Sequence, residues 1–320
     1  MSVRTAVIGL GIMGRRMAEH MALHPGFTPV ALWDPDPAAC RAAHELAPDA
    51  RVTNTPEEAI AASDLIYLAC PPVPRKAYAL AAADAGKSLF LEKPLGVDIA
   101  QSKALVAHLE ERDVPAAVNF TQAAGAALTG VYEASRAGIM GDILGADIVV
   151  TYSAWPREWQ KAADWLRFRD EGGPTREVIS HFLFFSERIL GPLSVVWARP
   201  SYPSDGGLCE TQMLARLETH DGRPVSVMVS VGGAQPDRQE LTIKGSRASR
   251  RISEFYIDEV SDGGPFSEIT ERPEDPRATS LKAQLDDLLL CLDRKPNRLA
   301  TPQEALRVQI LVEQMLSGKS

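Results

Sequence analysis

Two short stretches of this chain combine residue types and spacings that chemistry can use. The first is Val7-Ile8-Gly9-Leu10-Gly11-Ile12-Met13-Gly14, an apolar run that opens directly into G-x-G-x-x-G. Gly9 permits a tight turn, Gly11 lets the backbone approach a diphosphate, and Gly14 lets a following helix pack closely on the strand. The helix start at Ile12, Met13 and Gly14 adds oriented N–H donors and a partial positive charge. Asp34 closes the next apolar run about 20 residues past Gly14, where a carboxylate accepts from ribose hydroxyls. The constellation predicts a dinucleotide site. An acid at Asp34 repels a 2'-phosphate, so NAD(H) is favoured and NADP(H) is the alternative, with Arg15, Arg16 and Arg41 near enough in sequence to reverse the preference. The competing reading is a plain turn whose Asp34 caps the helix after Pro35.

The second stretch is Leu91-Glu92-Lys93-Pro94, at the end of another apolar run. In an open α/β sheet ligands lie at the carboxyl ends of the strands, so Lys93 projects toward the reactive end of a bound cofactor. A lysine partly buried there has a lowered pKa and can give or take a proton near neutrality, with Glu92 to orient it. A surface ion pair is the bland alternative.

The elements that must position these residues follow from periodicity. Short apolar runs at Thr5–Ile8, Pro29–Trp33, Asp64–Ala69, Ser88–Leu91 and Ala116–Val118 alternate with amphipathic stretches near 15–23, 38–46, 75–85 and 99–111. Continuous apolar strands separated by single helices predict a doubly wound parallel sheet of the Rossmann kind over residues 1–120. After a helix near 123–137 the texture changes. Val225–Val231 alternates Val with Ser, Met and Ser, which predicts a strand with one apolar face, and 214–217, 241–244 and 252–257 read as its partners. Residues 121–320 are therefore expected to form an α+β domain built on a large, mainly antiparallel open sheet, closed by helices near 280–292 and 303–316. Residues 258–277 read as a surface loop. The uncovered sheet face needs a partner, and a homodimer or homotetramer through that sheet is the simplest.

Composition excludes several classes. The net charge is −8, and Arg247, Arg250 and Arg251 form the one notable basic cluster, read as a solvated strand end or turn, so no nucleic-acid or membrane-surface partner is expected. No apolar run approaches the ~18 residues of a membrane span, and the start, Met1-Ser2-Val3-Arg4-Thr5, lacks signal-peptide blocks, which leaves the cytoplasm as the expected location. Cys40, Cys70, Cys209 and Cys291 are scattered without a C-x-x-C pair, so neither a metal site nor a disulfide framework is expected.

The glycine fingerprint, Cys70-Pro71-Pro72 after the apolar run Asp64–Ala69 and Glu92-Lys93-Pro94 after the run Ser88–Leu91 together resemble the Gfo/Idh/MocA oxidoreductase family. The resemblance implies NAD(P) held by Gly9, Gly11, Gly14 and Asp34, with Cys70, Pro71, Glu92, Lys93 and Pro94 around the nicotinamide. It implies Lys93 near the reacting carbon. The family's second-domain signature is a glycine-rich turn leading into a helix with Asp and, four residues on, His. Here Gly172-Gly173-Pro174 leads to Glu177 in place of the Asp and to His181, which share a helix face and are implied to meet the substrate. His181 joins Lys93 as a catalytic candidate; Glu177, Gln122 and Trp155 are substrate-binding candidates. A capping role or a plain i,i+4 pair is the alternative for Glu177 and His181. Departures bear on the substrate: Phe182-Leu183-Phe184-Phe185 stands where another acid is frequent, and Gln122 where arginine is common. The implied activity is hydride transfer at a secondary alcohol/ketone of sugar or cyclitol kind. Trp155, Trp159, Trp165, Phe182 and Phe184 motivate an imine/amine alternative on a more apolar substrate. A non-catalytic NAD(P)-binding regulator and a lyase using tightly held NAD are the readings from other classes.

Overall fold

The computed structural model describes residues 2–269 and 273–318. The chain divides into two compact units, Met1–Ala123 with Leu281–Leu306, and Ala124–Ser280 with Arg307–Ser320.

The first unit alternates β1 (Val3–Ile8), α1 (Ile12–Leu23), β2 (Phe27–Trp33), α2 (Pro37–Leu46), β3 (Arg51–Val52), α3 (Pro56–Ala62), β4 (Leu65–Leu68), α4 (Pro72–Asp84), β5 (Ser88–Glu92), α5 (Ile99–Arg112) and β6 (Ala116–Asn119). Its strands run parallel in the order β3-β2-β1-β4-β5-β6. Ala6, Val7, Ile8, Leu65, Ile66, Leu68, Leu89, Phe90 and Leu91 are fully buried, as expected for strands covered on both faces. Each large side chain among them contributes roughly 1.5–3 kcal/mol through burial. The strand order reverses between β1 and β4, which opens a crevice at the carboxyl ends of those strands. β3 and α3 carry no apolar-run signal, since β3 is two exposed residues. The start of α3 was nonetheless readable in Thr55-Pro56, because the Thr55 hydroxyl accepts from the Glu58 N–H at 3.2 Å.

The second unit holds α6 (Ala126–Arg136), β7 (Ile143–Tyr152), a π-helical turn over Thr175–Ile179 that runs on as α7 (Ser180–Leu190), and β8 (Leu193–Ser201), β9 (Gln212–Thr219), β10 (Pro224–Val231), β11 (Arg238–Gly245), β12 (Ser249–Ser253), β13 (Ile257–Ser261) and β14 (Ser267–Glu268). The sheet order is β14-β13-β12-β11-β7-β10-β9-β8, antiparallel at each described pairing except β10 with β7, which is parallel. In β10 Val225, Val227 and Val229 are buried, while Met228 on the opposite face is 37% exposed beside Leu214 at 51% and Val196 at 43%. One face of the sheet is thus core and the other open.

Three expectations are corrected here. The strand read over 252–257 is two strands, because Glu254 and Phe255 take positive φ of 51° and 68° and turn the chain back as a hairpin. The loop read over 258–277 begins as β13 and ends in helix; residues 270–272 lie outside the described ones. The basic cluster is not a solvated turn. The hairpin brings Asp258 and Glu259 across from it, so the buried Arg250 Nε donates to Asp258 at 2.8 Å and Arg251 Nε to Glu259 at 2.8 Å, leaving only Arg247 exposed.

The last helices are α8 (Pro276–Leu292) and α9 (Pro302–Leu316), and the chain enters the first unit within α8 and leaves it within α9. Leu281–Leu306 belongs there through distant pairings that local periodicity does not carry. The His24 Nε2 lies 3.0 Å from Asp286 Oδ1, Arg298 Nε donates to Asp287 at 2.8 Å, and Ala300 pairs with Val118 at the free edge of β6. No helix among the described residues is long and apolar enough to cross a membrane.

Candidate functional site

The glycine loop after β1 is built for close approach. Gly9 has φ +91°, and a Cβ there would fall 2.4 Å from the Cys70 nitrogen; a Cβ on Gly14 would fall 1.8 Å from the Gly9 carbonyl oxygen. Both positions therefore need glycine for packing. Gly11 differs: its φ is −65°, and nothing lies within 4 Å of where its Cβ would be. The space over Gly11 is open, and the first turn of α1 behind it has no side-chain cap. A helix start without a side-chain cap, next to the open space over Gly11, is what an anionic diphosphate requires, so the loop fits a dinucleotide. Asp34, at the end of β2, accepts from Leu10 N–H at 2.7 Å on one oxygen and from Asp36 N–H at 2.8 Å on the other. It thus ties the glycine loop to the β2 edge. Capping of α2 falls to Asp36, whose carboxylate accepts from Ala38 N–H at 2.8 Å.

The loops after β4 and β5 are locked together from beneath. Arg75, 2% exposed in the first turn of α4, donates through Nη1 to the Glu92 carbonyl at 2.6 Å and to the Pro94 carbonyl, and through Nη2 to the Cys70 carbonyl at 2.6 Å. The Glu92 carboxylate turns into the sheet, where it accepts from the Tyr67 hydroxyl of β4 and from Asn119 Nδ2 of β6 at 2.6 Å. Burial raises the Glu92 carboxyl above its ordinary range, offset in part by the Tyr67 hydrogen bond and the charges of Lys93 and Arg75. Burial and the Glu92 charge push the Tyr67 phenol well up. Glu92 therefore bears on Lys93 through its charge and through the backbone they share. Lys93 follows β5, half-buried, joined to Pro94 by a cis peptide bond. Cys70 and Gln122 are buried, the former 6% and the latter 3% exposed.

In the second unit, the glycine-rich turn is forced by a buried acid. Gly173 has φ +102°, and a Cβ there would lie 2.4 Å from a carboxylate oxygen of Glu210, which accepts from Thr175 N–H at 2.8 Å. Arg176 anchors the same turn through Glu313, at 2.7 and 2.8 Å. Glu177 sits within the π-helical turn, a wide-turn geometry frequent at functional sites. Its Oε1 accepts from Gln160 Nε2 at 3.1 Å. His181, 7% exposed, opens α7 with its ring edge-on to Phe255 at 5.5 Å. Phe182 stacks on Phe255 at 5.1 Å, and Phe182 and Phe184 are at most 1% exposed, so both are core. Trp155 Nε1 donates to the Leu166 carbonyl at 2.9 Å, and Trp159 is 43% exposed. Sequence reasoning missed Tyr67, Arg75, Asn119, Gln160 and Glu210. Tyr67 in an otherwise aliphatic strand and Arg75 in a helix start facing the sheet were the available signals; Gln160 and Glu210 offered none.

Sheet order, glycine loop and uncapped helix define an α/β dinucleotide-binding domain of the Rossmann class. Residues 3–120 match the model of the GFO_IDH_MocA oxidoreductase family, described as an NAD-binding Rossmann fold. Over these residues the chain is similar to members of that family. It is 28% identical over 179 residues to an uncharacterized oxidoreductase of Streptococcus pneumoniae, a match covering 53% of this chain and 46% of that one. It is 36% identical over 108 residues to an inositol 2-dehydrogenase of Rhodococcus erythropolis, covering 32% and 31%. These matches span less than half the length of either relative. In fold it is similar to the WlbA dehydrogenase of Bordetella pertussis, crystallised with NADH and UDP-GlcNAcA, with a TM-score of 0.83 at 22% identity over 98% of this chain and 94% of that one. A UDP-N-acetylglucosamine 3-dehydrogenase of Acidithiobacillus ferrooxidans shares the fold with a TM-score of 0.80 at 18% identity, covering 99% and 97%.

Proposed function

We propose that the protein is an NAD(P)-dependent oxidoreductase acting on a secondary alcohol/ketone pair of sugar or cyclitol kind. The observation that carries this reading is the open space over Gly11, backed by the uncapped start of α1, on the same strand edge as Lys93. NAD(P), when bound, supplies the hydride acceptor or donor. Lys93 gives or takes the hydroxyl proton of the substrate. His181 is its partner or orients the substrate, and Glu177, Gln122 and Trp155 hold it. Gly9 and Gly11 receive the diphosphate with the N–H groups of Ile12, Met13 and Gly14, while Cys70, Pro71, Glu92 and Pro94 frame the nicotinamide. Each Asp34 oxygen already accepts one backbone N–H and keeps a second lone pair for a ribose hydroxyl, which favours NAD(H) over NADP(H).

In this reading residues 1–120, with Leu281–Leu306 packed among them, form the nucleotide domain, and the rest of 121–320 is the substrate and oligomerisation domain of a cytoplasmic enzyme, a homodimer or homotetramer through the open sheet face. The imine/amine alternative loses two of the five aromatics behind it, because Phe182 and Phe184 are core. A regulator has no use for a lysine at the reactive edge.

The test is reduction of NAD(P)+ followed by absorbance against aldoses, aldonic acids and cyclitols, in the wild type and in Lys93→Ala. Turnover should fall about 10²- to 10⁴-fold in the variant with nucleotide affinity unchanged. Equal turnover would remove Lys93 from the chemistry.

A further inference from the structure

We infer that the second unit contains an oxyanion site centred on Arg157, which, taken with the oxidoreductase reading, makes the substrate an acid: a sugar or hydroxy compound bearing a carboxylate or a phosphate. Arg157 is partly buried between β7 and the π-helical turn. Its guanidinium lies 5.1 Å from the ring centre of Tyr152, 5.7 Å from that of Trp155 and 4.8 Å from that of Trp159. The rings displace water from the cation and fix its plane, yet offer no charge to neutralise it.

Three other buried or half-buried arginines of this unit show the contrast. Arg176 has Glu313 at 2.7 Å, Arg250 has Asp258, and Arg251 has Glu259 at 2.7 Å. Arg157 has no carboxylate at ion-pair distance among the described residues. Its one hydrogen bond to protein runs from Nε to Gln160 Oε1, at 2.8 Å, so the terminal amino groups with their four N–H donors have no described acceptor. Two further observations point to the same place. The Tyr152 hydroxyl is buried without a hydrogen-bond partner, and a second guanidinium, that of Arg277, lies 5.1 Å from the Trp159 ring.

A planar guanidinium matches a carboxylate or phosphate two donors to two acceptors, which a neutral polyol cannot reproduce. With a net charge of −8 the protein as a whole repels anions, so attraction must come from a local site such as this. The site is also coupled to a substrate-binding candidate. Gln160, 2% exposed, accepts from Arg157 and donates to Glu177 Oε1 at 3.1 Å, so one side chain sets the cation and the carboxylate in a single frame.

Because Trp155 and Trp159 flank the guanidinium, their fluorescence reads binding without turnover. The whole chain is titrated with D-glucuronate, D-glucose 6-phosphate, inorganic phosphate and, as the neutral control, D-glucose. The expected result is a saturable change with at least one acid, absent with glucose, weakened about 10- to 100-fold in Arg157→Gln and partly restored in Arg157→Lys. Glucuronate against glucose 6-phosphate decides between carboxylate and phosphate. Acids and glucose titrating alike, or Arg157→Gln binding acids as well as wild type, would overturn the site. Should Arg157→Gln unfold, the wild-type salt dependence carries the test: acid affinity should fall steadily with NaCl, and a flat response overturns it. Acid binding in a protein that binds no pyridine nucleotide would leave this site standing and remove the oxidoreductase reading instead.

Discussion

Glu92 is a carboxyl whose cost and use can be separated by pH. Buried against Tyr67 and Asn119, it titrates above its ordinary range in the folded protein. A raised folded-state value means that the folded chain keeps a proton which the unfolded chain has released. The stability this provides is complete below the ordinary carboxyl pKa and is lost as pH rises through the raised value. Glu92→Gln keeps the acceptor oxygen for both partners and removes the titration. Its melting temperature relative to wild type should therefore improve from pH 5 to pH 8, and thermal unfolding at the two values checks this; a constant difference would contradict it. Cys209 gives a companion expectation, since burial pushes its thiol up to about 12 and slow labelling by thiol reagents at pH 7.5 should follow. The candidates for chemistry, Lys93 and the three glycines, were legible because their signal is local: an apolar run, then a motif. Gln160 and Arg75 were not, because what matters about each is a partner 17 or more residues away: Glu177 for the one, Glu92 and Pro94 for the other.

At the scale of elements, the turn from β1 into α1 distinguishes glycines required by packing from Gly11, which packing does not require and which is proposed to meet the ligand. Gly9→Ala forces a side chain into the Cys70 backbone at a positive φ and should destabilise the first unit by several kcal/mol, on the order of a core defect. Gly11→Val meets open space at an ordinary φ, so it should melt within about 1 kcal/mol of wild type while losing nucleotide binding. Calorimetric unfolding and nucleotide titration of the pair separate the two roles, and a Gly11→Val protein that still binds NAD+ would contradict the assignment. The π-helical turn at Thr175–Ile179 belongs to the same scale. Sequence spacing placed Glu177 and His181 on one α-helical face, but the wide turn that holds Glu177 depends on Glu210, 35 residues from the Thr175 amide it binds, and no local pattern announces it.

For the whole molecule, the parallel sheet was legible almost strand by strand, because strands buried on both faces write themselves as unbroken apolar runs. The second sheet was legible only in its alternating members; the hairpin at Glu254-Phe255 and the ion pairs that fold Arg250 and Arg251 inward depend on cross-strand partners. Its open face, with Val196, Leu214 and Met228 exposed together, should associate with a second copy. Sedimentation of Leu214→Arg/Met228→Arg should give a lighter species than wild type, and identical sedimentation would place the interface elsewhere. The central claim, that a pyridine dinucleotide lies over Gly11 at the edge of the first sheet, is tested most directly by isothermal titration of the whole chain with NAD+ and NADP+. Saturable binding with NAD+ the tighter of the two is the predicted result; no heat of binding from either nucleotide would contradict it.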